Sequence, residues 1–172
     1  GMPNAQFEED LFLSFEQEKP EDYPKRPDGS IFYPVLAISG GAANGAYGAG
    51  LLKGWSKHGD RPVFKVVTGV STGALIAPFA FLGSEYDDEL EECYTTMATK
   101  NVMRSRGVVG PLLGDSVYST APLAKKIALI ATKELLEKIA AEHRRGRRLL
   151  VGTTNLDAQR FVVWNMGAIA CK

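Results

Sequence analysis

Residues 62–77 read Pro62-Val63-Phe64-Lys65-Val66-Val67-Thr68-Gly69-Val70-Ser71-Thr72-Gly73-Ala74-Leu75-Ile76-Ala77, and this stretch decides the fold. Pro62 to Val70 is a short apolar run rich in valine, the pattern of a buried strand. Thr72 to Leu82 reads as a helix perturbed at Pro78. Between them lies Gly69-Val70-Ser71-Thr72-Gly73, a G-x-S-x-G at a strand-to-helix junction. At such an elbow the serine takes a strained backbone conformation, and the flanking glycines remove side chains that would collide with the adjoining strand and helix. The hydroxyl is then presented at the C-terminal edge of the sheet, where the next helix offers N–H groups to developing negative charge. The alternative for these five residues is a glycine-lined helix start with Ser71 as its cap.

Toward the N-terminus, Ile31 to Ser39 (IFYPVLAIS) is a second apolar stretch that ends abruptly in Gly40-Gly41, as a buried strand feeding a turn does. The segment Ser39-Gly40-Gly41-Ala42-Ala43-Asn44-Gly45 lacks the Gly-Lys-Ser/Thr of a P-loop, and residues 40–54 hold no G-x-G-x-x-G register. No nucleotide cofactor is expected. A Gly-Gly turn does supply unhindered N–H donors, the material of an oxyanion hole. The Gly/Ala-rich segment that follows, to about Trp55, predicts a helix packed very close to its neighbour through Gly41, Gly45, Gly50 and Gly54. Each helical glycine costs about 1 kcal/mol relative to alanine, so packing or function must compensate.

Toward the C-terminus, Tyr86 to Lys100 predicts a helix with its acidic residues at the N-terminal end, and residues 101–119 a long loop. Thr120 and Pro122 mark another helix start, with a break near Thr132 and an end at Arg145-Gly146. Arg148 to Thr153 and Arg160 to Trp164 read as strands joined by a turn around Asp157. The order strand, helix, strand, helix, helix, strand implies an α/β fold, a parallel sheet mixed at its edge and flanked by helices.

Residues 1–28 hold eight acidic residues against three basic ones. Phe7, Leu11 and Phe15 recur at helical spacing, and Pro20, Pro24 and Pro27 interrupt any regular element after them. The expected organisation is an acidic leader and Pro-rich linker over 1–30, then an α/β domain over 31–172. Gly1 ahead of Met2 reads as the remnant of a removed tag.

Composition narrows the function classes. The 172 residues are 45% hydrophobic and 23% charged, the profile of a globular domain. Twenty Lys and Arg balance 20 Asp and Glu, so net charge gives no pull toward nucleic acid. Cys93 and Cys171 make no disulfide framework and lack metal-site spacing, so no metal is expected. Residues 30–52 are uncharged but carry Pro34, Asn44 and many small residues, too little apolar content for a membrane helix.

The S-G-G-A-A-N-G segment, G-V-S-T-G-A-L some 30 residues later, and Thr153-Thr154-Asn155-Leu156-Asp157 together resemble the patatin-like phospholipases, especially their bacterial members. The resemblance covers about residues 31–170. It implies hydrolysis of a carboxylic ester in a lipid or acyl-glycerol-like substrate through an acyl-enzyme on Ser71. Gly69 and Gly73 are then the elbow glycines, and Gly40, Gly41 and Ala42 match the oxyanion loop, usually Gly-Gly-Gly-x-Arg/Lys-Gly. Two departures stand out: Ala42 replaces the third glycine and Asn44 the basic residue. A third is an absence, since the family's base, an aspartate in Asp-Gly-Gly or Asp-Gly-Ala beyond the nucleophile, has no counterpart here. The resemblance thus implies the N-terminal part of a patatin domain, truncated at its C-terminus, with the aspartate beyond Lys172 and little activity in these 172 residues.

Two alternatives accompany that expectation. A triad can be written in chain order as Ser71, Asp115 and His143, although the arginines beside His143 oppose an imidazolium. A patatin-fold protein that binds lipid or a partner without turnover is the other. The basic run His143 to Arg148 reads as a solvated helix end, with peripheral contact to anionic head groups as the functional option. Trp55, Trp164, Phe79 and Phe81 are expected in the core.

Overall fold

The structure, a computed structural model, describes residues 5–41, 45–98, 104–105, 118–119, 124, 127–128 and 130–172. Its centre is a four-stranded sheet in the order β1 (Val35–Ile38), β2 (Val66–Val70), β5 (Arg148–Asn155), β6 (Arg160–Asn165). β1, β2 and β5 run parallel, and β6 pairs antiparallel with β5 at the edge. The helices are α1 (Ala5–Glu16), α2 (Gly45–His58), α3 (Thr72–Leu82), α4 (Asp87–Ala98), α5 (Lys133–Arg144) and α6 (Met166–Ala170). Two-residue strands β3 (Arg104–Ser105) and β4 (Tyr118–Ser119) pair antiparallel apart from the main sheet. The expected loop over 101–119 and the helix start at Thr120 and Pro122 lie mostly outside the described residues.

The strand-to-helix reading around Ser71 holds, with α3 running from Thr72 to Leu82 and Pro78 inside it. The expected break near Thr132 is the start of α5: the Thr132 hydroxyl accepts a 3.2 Å hydrogen bond from the Leu135 N–H, an N-cap. One face of the sheet, carrying Leu36, Val67 and Leu149, packs on Ile76 and Phe79 of α3, Leu90 of α4 and Ile139 of α5. Each such side chain removed from water contributes about 1.5–3 kcal/mol. Phe79 and Phe81 are buried as expected and Trp55 packs edge-on against Phe64, whereas Trp164 is half exposed on the edge strand. Cys93 is buried and Cys171 exposed, neither in a disulfide. Among the described residues no helix is long and apolar enough to cross a membrane, and no cluster has the makings of a metal site.

Four readings change. The stretch from Ile31 forms a strand only over Val35–Ile38, and it is not buried, because its one described partner is β2 and Val35 and Ala37 face solvent. The glycine-rich helix is not packed tightly through Gly50 and Gly54. A Cβ there would meet nothing, and both line an open groove with Tyr47, Leu51 and Trp55. The basic run is no solvated helix end: His143, Arg147 and Arg148 are buried, and Arg144 and Arg145 stay at the surface. Finally, the stretch after Tyr23 does not behave as a free linker. Tyr23 is buried, Asp22 pairs with Arg145 at 3.0 Å, and Lys25 bridges to Ile31. A short helix, α6, also caps the last strand and packs on α5, where the sequence showed no pattern long enough to announce it.

Candidate active site

Ser71 sits where β2 becomes α3, with φ 54° and ψ −124°. A left-handed φ on a non-glycine residue is costly, about 1–3 kcal/mol, and persists only where the surroundings enforce it. The enforcement is visible in the flanking glycines. A Cβ on Gly73 would stand 2.8 Å from the Ser39 carbonyl oxygen, and one on Gly69 2.7 Å from the Gly73 carbonyl carbon. The end of β1 therefore crosses directly over the start of α3, and β2 turns back against it, leaving the peptide at Ser71 one way to turn. The Ser71 side chain makes no capping hydrogen bond and the residue is exposed, which removes the reading of Ser71 as a helix cap. Ser71 precedes the first turn of α3, whose Ala74 N–H already donates to the Ser71 carbonyl at 3.0 Å, so the hydroxyl stands at the positive end of a helix dipole.

The glycine turn after β1 arrives at the same place. A Cβ on Gly40 would lie 2.8 Å from the Ser71 Cβ and 3.3 Å from its Oγ, so the Gly40 backbone borders the hydroxyl. Gly41 follows, exposed; Ala42 lies outside the described residues, as does Asp115. Gly40, Ser71, Gly69 and Gly73 are thus brought together by the pairing of β1 with β2, which sets Ile38 opposite Gly69.

The two histidines are kept elsewhere. Arg148 pairs with Val66 at the start of β2, four residues before Val70 and roughly 13 Å along the strand. Its guanidinium donates to the His143 carbonyl oxygen at 3.1 Å, so His143 belongs to the N-terminal edge of the sheet. There its Nε2 lies 4.0 Å from Asp10 of α1, and its Nδ1 is buried without a partner among the described residues. Burial, reinforced by the Arg148 charge and opposed by Asp10, holds its pKa below the ordinary histidine value. His58, at the end of α2 on that same side, pairs with Asp60 at 2.8 Å. The arrangement Ser71, Asp115, His143 is not assembled, because strand length separates its first and last members.

That N-terminal edge holds a polar assembly that reading along the chain missed. Arg148 Nε donates to Asp10 at 2.7 Å and its Nη2 to Gln17 and the Asp10 carbonyl. Arg147 donates to the Phe64 carbonyl at 2.8 Å, to the Phe81 carbonyl and to Glu142. Lys65 is buried with its ammonium 2.7 Å from Glu18, 2.8 Å from the Ser14 carbonyl, and over the rings of Phe15, Tyr23 and Tyr33. Burial lowers its pKa against the pull of Glu18. Burial likewise pushes the Tyr23 phenol up to about 12, and burial with the Glu18 hydrogen bond does the same for Tyr33. The signal was the charge asymmetry: an acidic leader and a basic run 120 residues away complement each other.

A family model described as Patatin-like phospholipase matches residues 36–165, from the first strand of the sheet to the last. No curated protein and no solved structure gives a match.

Proposed function

The chain belongs to the patatin-like phospholipase family, a family of lipid hydrolases, and from that premise we propose that it is a serine acyl hydrolase with Ser71 as nucleophile. The single observation that carries the reading is the left-handed, uncapped and exposed Ser71 beside Gly40. In the proposed reaction the Ser71 Oγ loses its proton to a base and attacks the carbonyl carbon of a lipid ester. The tetrahedral oxyanion is held by backbone N–H groups of Gly40, Gly41 and Ala42. Collapse expels the alcohol, which takes up the proton, and leaves an acyl-enzyme; water then releases the fatty acid by the same steps.

The base assigned by this proposal is an aspartate outside these 172 residues, because no Asp-Gly-Gly or Asp-Gly-Ala follows Ser71. Loss of one member of a serine catalytic unit costs on the order of 10⁴ in rate. Labelling with a fluorophosphonate probe tests both parts. The 172 residues should label slowly or not at all, and a chain continued through the next Asp-Gly should label rapidly at Ser71. Equal rates for the two lengths overturn the missing base, and labelling that survives Ser71→Ala overturns the nucleophile. A second reading, a lipid-binding protein of this fold without turnover, is favoured by the lack of an Asp-Gly-Gly or Asp-Gly-Ala after Ser71 in these 172 residues; it predicts no labelling at either length.

A further inference from the structure

Helix α1 is inside out. Ser14 is fully buried, and Asp10 and Gln17 turn inward to Arg148, whereas Phe12 is 72% exposed and Phe7 and Leu11 also face solvent. A helix resting on a protein ordinarily turns its apolar side inward. Here the inward side is polar because it meets Arg148 and Lys65, so apart from Phe15, which packs on Tyr33, the apolar side is left toward solvent.

The sheet face beneath α1 continues this apolar tract. Side chains two apart along a strand share a face, so Arg148 and Asn165, which Asp10 of α1 reaches, lie on the same face as Val70, Phe161 and Val163. Phe161 is 64% exposed, Val163 50%, and Val70 is exposed as well. Val70 and Phe161 both reach over Gly152, where a Cβ would collide with the Phe161 ring and with Val70 Cγ1. One side of the molecule thus presents aromatic and aliphatic groups from α1 across to Val70, the residue before Ser71.

We propose that this side docks on the surface of a lipid assembly with neutral or zwitterionic head groups. The proposal rests on the reading of Ser71 as the reacting group, because continuity of the apolar tract with the serine edge is what brings an ester in that surface to the hydroxyl. Charge selects the lipid. Glu8, Glu9 and Glu16 are exposed on α1 and residues 1–18 hold no Lys or Arg, whereas Arg148 is buried and already paired with Asp10, so an anionic surface repels this helix. An apolar helix face of this kind enters the boundary between head groups and acyl chains.

Co-sedimentation with phosphatidylcholine vesicles tests the proposal. The protein should bind, binding should fall about tenfold or more in Phe12→Asp and in Phe161→Asp, and phosphatidylserine in the vesicles should weaken it. Both sites are exposed, and unchanged circular dichroism would show that the variants remain folded. Ser71→Ala should bind as the parent does, so vesicle binding and Ser71 labelling fail independently: absence of labelling in the chain continued through the next Asp-Gly refutes the nucleophile, and loss of vesicle binding alone refutes the docking surface. No binding to phosphatidylcholine, tighter binding to anionic vesicles, or binding indifferent to both substitutions overturns the proposal. A lipid-free dimer dissolved by Phe12→Asp, seen by analytical ultracentrifugation, also overturns it and assigns the face to a second copy.

Discussion

The two ends of β2 are held by opposite means. At its C-terminal end the chain turns at Gly69, Ser71 and Gly73, and the geometry depends on missing side chains: any Cβ at the two glycines collides with backbone. At its N-terminal end Lys65, Arg147 and Arg148 are buried with long side chains, each satisfied by carbonyls and carboxylates from α1, α3 and α5 and by the segment after α1. One end concentrates backbone strain and leaves a hydroxyl exposed. The other consumes the charges of Lys65, Arg147 and Arg148 internally. Reactive groups on such a sheet need an end where side chains are few and donors are free, and the stability offsetting that strain comes from elsewhere in the fold.

Substitutions at the two ends should therefore change stability with opposite sign. The largest effect is expected for Arg148→Ala, which strips Asp10, Gln17 and the His143 carbonyl of their donor. Breaking a buried pair on one side costs about 3–5 kcal/mol, so the thermal midpoint should fall by roughly 10 °C for a chain of this size. A fall of a degree or two would mean that α1 is not fastened through this residue. Ser71→Gly should do the reverse, since glycine accepts the left-handed φ without penalty. A gain of about 1 kcal/mol, or roughly 2–4 °C, is expected. A lower midpoint would remove the argument that Ser71 is strained.

The smallest effect separates His143 from the rest of the polar end. Its folded pKa lies below the unfolded value of about 6.5, so the unfolded chain binds its proton first as pH falls. The stability it contributes is complete above about pH 6.5 and declines as pH drops toward the lowered folded value. Melting curves between pH 7.5 and 5.5 should show this decline, and His143→Gln should flatten it. An unchanged slope would assign the decline to other groups.

Much of the fold was legible because its signals are local. Val66–Val70, the elbow and α3 announce themselves by apolar run, glycine spacing and helix start, and the two residues at the centre of the site, Gly40 and Ser71, follow from the same turns. The burial of β1 was misjudged because an apolar composition does not say how many neighbours a strand will have. Gly50 and Gly54 were read as a packing face for the same reason, since small residues permit close approach without supplying the partner. His143 was placed in a triad on chain order, which carries no information about which edge of the sheet a residue reaches.

By itself the sequence determined the α/β class, the strand-to-helix turn at Ser71 and the glycine turn after β1, because backbone sterics act within a few residues. Only the tertiary structure decided that the acidic leader binds the basic run, that α1 turns Phe7 and Phe12 outward, and that Gly40 reaches Ser71 while His143 does not. Those outcomes depend on strand order and register, which bring together residues 30 to 140 positions apart. Charge balance or hydrophobic spacing along the chain does not encode that pairing until the sheet has formed.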